Sequence, residues 1–173
     1  MPAPGTPYRI AVLGKTHDRA TFNCGSAALD RYLHQQARQD TEKRVAAAFV
    51  LVEPPGLRVL GYYTLCASLV NASELPATLA KKLPRYPQLP VTLIGRLAVD
   101  QNMKGKGVGQ LLLLDALRRS LEAAVNIAAM AVLVDAKDEA AETFYRHFSF
   151  LPLQQQPRRL FLPMKTIAGL FHD

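Results

Sequence analysis

The chain has 173 residues, 49% of them hydrophobic and 20% charged, which is enough to bury a full core and points to one domain spanning 1–173. No stretch approaches eighteen uninterrupted apolar residues, and the start, Met1-Pro-Ala-Pro-Gly5, lacks a charged region followed by an apolar run. These features argue against a membrane span and a signal peptide and for the cytoplasm. A formal charge of +7 favours a polyanionic partner over a cationic one, with a solvated basic surface as the plainer explanation.

Cys24 and Cys66 are too few and too far apart to suggest a disulfide, and His17, His34, His147 and His172 form no spaced pair with either. Neither a disulfide framework nor a metal site is expected.

In chain order, Tyr8 to Leu13 reads as a first strand. Thr21 to Ser26 supplies turn and cap residues, after which Leu29, Tyr32, Leu33, Gln36 and Ala37 mark the inner face of one helix, with Arg31, Gln35, Arg38 and Gln39 outside. Ala46 to Val52 and Arg58 to Leu65 flank Glu53-Pro-Pro-Gly56 as a hairpin of two central strands. The prolines at 76, 84, 87 and 90 rule out a continuous strand over Asn71 to Pro90, where Leu75 to Leu83 suits a short helix. Lys81, Lys82 and Arg85 cluster on this insertion, either facing a substrate or simply solvated.

Val91 to Val99 is the main strand. It leads into a helix with Leu111, Leu114, Leu117, Leu121 and Val125 inward and Gln110, Asp115, Arg118, Arg119 and Glu122 outward. Ile127 to Val134 is apolar throughout, as a parallel strand covered on both faces should be, so 93–134 reads as one β-α-β crossover. A helix over Ala140 to His147 follows, capped by Asp138. Phe150 to Leu153 and Arg159 to Met164 are two last strands.

Between the main strand and its helix lies Lys104-Gly-Lys-Gly-Val-Gly109. Glycines at alternate positions leave backbone N–H groups unscreened where a helix presents its unpaired donors, which suits a phosphate or pyrophosphate. The Walker pattern fails because Gly107 follows Lys106, and the dinucleotide fingerprint fails because Gln110 stands where it needs glycine. A simple strand-to-helix turn also remains open.

This loop resembles the coenzyme A signature of the GNAT acetyltransferases, with Lys104 where the family has Gln or Arg. The segments Phe22 to Asp30, Gly61 to Leu65, Gly95 to Asp100, Val134 to Asp138 and Ala141 to Tyr145 are in turn similar to the GNAT toxins of bacterial toxin–antitoxin modules, of TacT and AtaT type, over about residues 8 to 164. Ser149 departs from the family's Phe-Gly-Phe and points to a strained turn.

The resemblance implies an α/β (α+β) GNAT fold: a mixed central sheet flanked by helices, with acetyl-CoA in the splay beside the main strand. It implies cofactor contacts from Leu97, Ala98 and Val99, with the backbone of Leu97 and Val99 pairing with pantetheine. Lys104, Gly105, Lys106, Gly107, Val108, Gly109 and Gln110 would hold the pyrophosphate, and Asp135 would also bind the cofactor. Tyr145 is implied as the acid that protonates the departing thiolate, although from the residues alone the better reading is the core partner of Phe144. The implied substrate is the amino acid carried on tRNA. Arg38, Lys43, Arg44, Lys81, Lys82, Arg85, Arg96, Arg158 and Arg159 are the candidate tRNA contacts, and Tyr62, Tyr63, Leu65 and the insertion would shape the aminoacyl pocket. A homodimer and a ribbon-helix-helix antitoxin are implied partners.

Val91 to Val99 has no acidic residue, so no strong general base is evident. That favours an α-amine, with a reference pKa of about 8, over a lysine amine near about 10.4. Two other readings remain: a GNAT acting on a small-molecule or protein amine, and a binder without turnover.

Overall fold

The computed structural model describes residues 5–171, so the expectations resting on residues 1–4 and on His172 lie outside it. Seven strands form one sheet in the order β1-β2-β3-β4-β5-β7-β6. They are β1 (Arg9–Val12), β2 (Ala47–Val52), β3 (Gly61–Asn71), β4 (Gln88–Val99), β5 (Ala131–Asp135), β6 (Leu151–Leu153) and β7 (Gln156–Pro163). The helices are α1 (Ala27–Gln35), α2 (Ala37–Lys43), α3 (Ala77–Ala80), α4 (Val108–Ala124), α5 (Glu139–His147) and α6 (Met164–Leu170). The sheet is mixed, since β4 and β5 run parallel whereas β1–β2, β2–β3, β5–β7 and β6–β7 are antiparallel.

Contacts gather into two units, and β3, β4 and α4 run through both. The first comprises the chain up to Cys66 together with Gly95–Ala116. Its β2 is buried at five of six positions, as an all-apolar run in a central strand should be. Leu13, Phe22, Leu33, Val50, Val59 and Tyr62 form its core.

The expected single helix over 29–37 is two helices, broken at Gln36, which is exposed rather than inward. Gln36 donates its amide to one Asp40 oxygen and Tyr32 its hydroxyl to the other, both at 2.8 Å, and these side-chain bonds across the two helices hold the break. The strand expected from Arg58 begins only at Gly61 and continues to Asn71. Arg58 instead makes an isolated bridge to Asp18.

The second unit comprises Ala67–Ile94 and the chain from Leu117 onward. Val132, Leu133 and Val134 pair with β4 on one side and β7 on the other, and all are fully buried. Ile127 to Met130, expected to be strand, precedes β5, and Ile127 is 79% exposed. Pro90 was expected to interrupt a strand but lies inside β4, where its carbonyl accepts from the Met130 N–H and no donor is needed. The helix expected over 75–83 contracts to α3. Leu75 is buried in the core of this unit, while Lys81, Lys82 and Arg85 are exposed. The strand expected to end in Met164 stops at Pro163, and α6 follows, anchored by buried Met164 and Ile167.

Helix α4 departs most from its expected face. Leu112, Leu113, Ala116 and Leu117 are buried, Leu111, Leu114 and Leu121 only partly so, and Val125 lies past the helix end, 83% exposed. Asp115, read as outward, is 2% exposed because its carboxylate accepts the Tyr63 hydroxyl at 2.6 Å.

Candidate active site

In the first unit, β4 ends at Val99, and the next residue, Asp100, is 1% exposed. One of its oxygens accepts from the Asn102 N–H at 3.0 Å and the other from the Asn23 N–H at 3.1 Å, with the Arg58 guanidinium 3.8 Å away. A turn of 3-10 helix, Gln101–Met103, follows, and residues 104–107 then turn the chain into α4. Gly105 and Gly107 take φ of +80° and +77°, a region that L side chains avoid. A Cβ at either would meet nothing within 4 Å, so the turn faces open space.

The Lys104 and Lys106 amides close the turn by donating to Gln101 and Met103, each at 3.4 Å. Among the described residues, the N–H groups of Gly105, Gly107, Val108, Gly109 and Gln110 have no backbone partner, and together they form an anion cradle at a helix N-terminus. These residues fit a pyrophosphate. The Val108 side chain is buried, and the Lys104 ammonium donates to the Cys24 carbonyl at 3.2 Å.

The end of β4 has a definite polarity. The Ala98 carbonyl lies 3.3 Å from where a Cβ on Gly61 would stand, and the Asp100 N–H donates to Leu60, so these residues direct their backbone groups toward β3. Leu97 and Val99 therefore direct theirs to the opposite edge, which makes them, not Ala98, the residues free to pair there. Arg96 stands over the ring of Tyr32 at 3.5 Å.

Tyr62 and Tyr63, expected in the aminoacyl pocket, are fully buried. Their hydroxyls donate to Leu29 and Asp115. Arg38 pairs with Glu42 at 2.6 Å, and Lys43 and Arg44 are exposed at the end of α2.

In the second unit, Asp138 caps α5 by accepting the Ala141 N–H at 2.8 Å, and Tyr145 lies two turns on. Its ring packs against Phe144 and Phe150, so the core role anticipated for it is present. Its hydroxyl nevertheless has no hydrogen-bond partner among the described residues and is not sealed from solvent. Burial, and then the Asp135 carboxylate, push its pKa well above the ordinary phenol value, so it stays protonated.

Asp135, expected at the cofactor, pairs with Arg159 at 2.9 Å. The two line a pocket of about 450 Å³ with Gln156 and exposed Arg158, so residues assigned to different ligands share one site. Ser149 has a φ of +71°, which is the strained turn anticipated where the family carries glycine. Among the described residues, no group of His, Cys, Asp and Glu could hold a metal ion, and no helix is long and apolar enough to cross a membrane.

Residues 71–150 match the model of the acetyltransferase (GNAT) family. A tRNA-acetylating toxin of Mycobacterium tuberculosis is 35% identical over 173 residues, covering 100% of both chains. The chain belongs to the GNAT acetyltransferases and is similar to their tRNA-acetylating toxins. The structure of AtaT complexed with acetyl-methionyl-tRNAfMet superimposes with a TM-score of 0.89 at 32% identity, covering 95% of this chain and 99% of that one. A mutant AtaT bound to the C-terminus of the antitoxin AtaR and acetyl-CoA gives a TM-score of 0.82 at 28% identity, covering 97% and 100%. The acetyltransferase fold read from the sequence, a mixed sheet flanked by helices, is thus the observed one.

Sequence reasoning missed the Tyr32 platform under Arg96 and the Asp100 latch. The segments carrying both were visible, but the pairings join residues 64 and 77 positions apart, which no local pattern reports.

Proposed function

We propose that this 173-residue chain is one catalytic domain that transfers acetyl from acetyl-CoA to the α-amino group of an aminoacyl-tRNA, withdrawing that tRNA from elongation. The observation that carries the reading is identity along the whole chain to a protein named for acetylating tRNA. The open amide cradle at Gly105–Gln110 supports it.

In this reading, the amides of Gly105, Gly107, Val108, Gly109 and Gln110 hold the pyrophosphate, and Leu97 and Val99 pair with pantetheine. The substrate amine forms its bond to the acetyl carbon as the carbon–sulfur bond breaks. Tyr145 gives its proton to the leaving sulfur, the amine releases one to solvent, and solvent returns one to Tyr145. Exposed Lys43, Arg44, Lys81, Lys82, Arg85 and Arg158 meet tRNA phosphates, with Arg38 and Arg159 in reserve behind their ion pairs. The protein acts in the cytoplasm as a homodimer and is held inactive by a ribbon-helix-helix antitoxin, in line with the antitoxin-bound AtaT structure.

The test is transfer of labelled acetyl to a total pool of charged tRNA, with deacylated tRNA as blank. Label confined to charged tRNA is the expected result. No label in any tRNA, with acetyl-CoA still bound, overturns the reading in favour of small or protein amines.

A further inference from the structure

A groove of about 330 Å³ in the first unit is lined by Leu29, Arg31, Tyr32, Gln35 and Arg96, among others. Tyr32 and Arg96 in its lining belong to a set of flat groups that continues inward to buried Tyr62. The Tyr62 ring lies nearly parallel to that of Tyr32, with centroids 6.3 Å apart and planes 17° apart, and the Arg96 guanidinium covers Tyr32 at 3.5 Å. The set is braced, because Tyr32 is 7% exposed with its hydroxyl on Asp40, Asp40 also accepts the Gln36 amide, and the Tyr62 hydroxyl is on Leu29.

Arg96 lines the groove, is half-buried and makes no ion pair within 4.0 Å among the described residues, its charge reaching Asp40 only at longer range. A guanidinium held flat on a ring keeps its other face for a second flat group. Nucleobases are flat, and unpaired bases at strand ends are bound by stacking on arginine and aromatic planes.

We infer that the Arg96 face in this groove stacks the unpaired adenine at the 3′ end of the aminoacyl-tRNA. That base sits on the nucleoside whose ribose carries the amino acid, so gripping it sets where the α-amine lies. Arg31 and Gln35, which also line the groove, supply donors for the same nucleoside. The inference rests on the function proposed above and adds the subsite that reads the acceptor end.

The test compares wild type with Arg96→Lys, which keeps the charge but loses the plane, on three acceptors sharing one amino acid: charged tRNA, the aminoacyl ester of adenosine, and the amino acid methyl ester. The expected result is a fall in kcat/KM of about tenfold for the two acceptors that carry adenine, with the methyl ester and the KM for acetyl-CoA within about twofold. Equal activity on all three shows that Arg96 acts as a charge alone and overturns the inference. An equal loss on the methyl ester places the amino acid itself in the groove, and a raised KM for acetyl-CoA places the cofactor there; either overturns it as well. A wild-type protein that labels no charged tRNA fails at the earlier step, which separates the two readings. Thermal unfolding of Arg96→Lys at an unchanged Tm excludes a folding defect.

Discussion

A phenol loses its proton near pH 10 in water, and burial moves that point upward because the anion forfeits its hydration. Burial raises Tyr32 to about 12, with help from Asp40, and also pushes Tyr62 and Tyr145 well above the ordinary value. Because the folded pKa values exceed the unfolded ones, the associated stability is complete below about pH 10 and is lost as pH rises through the folded values. In a spectrophotometric titration, these three of the six tyrosines should not ionise near pH 10 while the protein is folded, and alkaline unfolding should release them together. For catalysis, Tyr145→Phe should lower kcat about 100- to 10,000-fold with little change in Tm, since the ring and its contacts with Phe144 and Phe150 remain. The wild-type rate should show no alkaline fall attributable to Tyr145 below pH 10. The aromatic spacing around Tyr145 was legible in the chain. The open hydroxyl was not, because it depends on what neighbouring segments leave uncovered.

At the level of elements, two glycines near the active site serve opposite purposes. Gly107 is required by its φ of +77° and has empty space around it, whereas at Gly61 a Cβ would fall 2.8 Å from Leu112, 3.2 Å from Val108 and 3.3 Å from the Ala98 carbonyl. Gly61→Ala should therefore destabilise by about 1–3 kcal/mol through overpacking of β3 against α4. Gly107→Ala should cost about 1–2 kcal/mol through backbone strain and should also raise the KM for acetyl-CoA, because relieving that strain re-aims the amides of the turn. Urea unfolding gives the first comparison and initial rates the second; an unchanged KM in Gly107→Ala would count against the cradle. The glycine pattern was readable because it is local. The inward face of α4 was not, since Tyr63 gives Asp115 a buried partner and rotates the boundary between inside and outside.

For the molecule as a whole, the charge of +7 predicts tRNA affinity that falls steeply with salt. The cations are not equivalent. Arg38 and Arg159 are ion-paired, whereas Lys81 and Lys82 are exposed, so Lys82→Gln should reduce the slope of log affinity against log salt by about one and Arg38→Gln by less. Binding measured between about 50 and 200 mM salt checks this, and equal slopes for both variants would put the tRNA surface elsewhere.

The sequence by itself determined the β-α-β crossover with its glycine turn, the Asp138 cap and the succession of strands along the chain, because each is written in short-range periodicity or backbone chemistry. It also carried the family, through five segments that keep their order. The break between α1 and α2, the extension of β3, the burial of Asp115, the pairing of Asp135 with Arg159 and the seat of Arg96 on Tyr32 were decided only in the tertiary structure. At the helix break, side chains four and eight residues apart bond across the two helices; elsewhere a polar side chain finds a partner distant in the chain or the sheet recruits more backbone than local propensity demands, and the energy of such contacts exists only once the chain has folded.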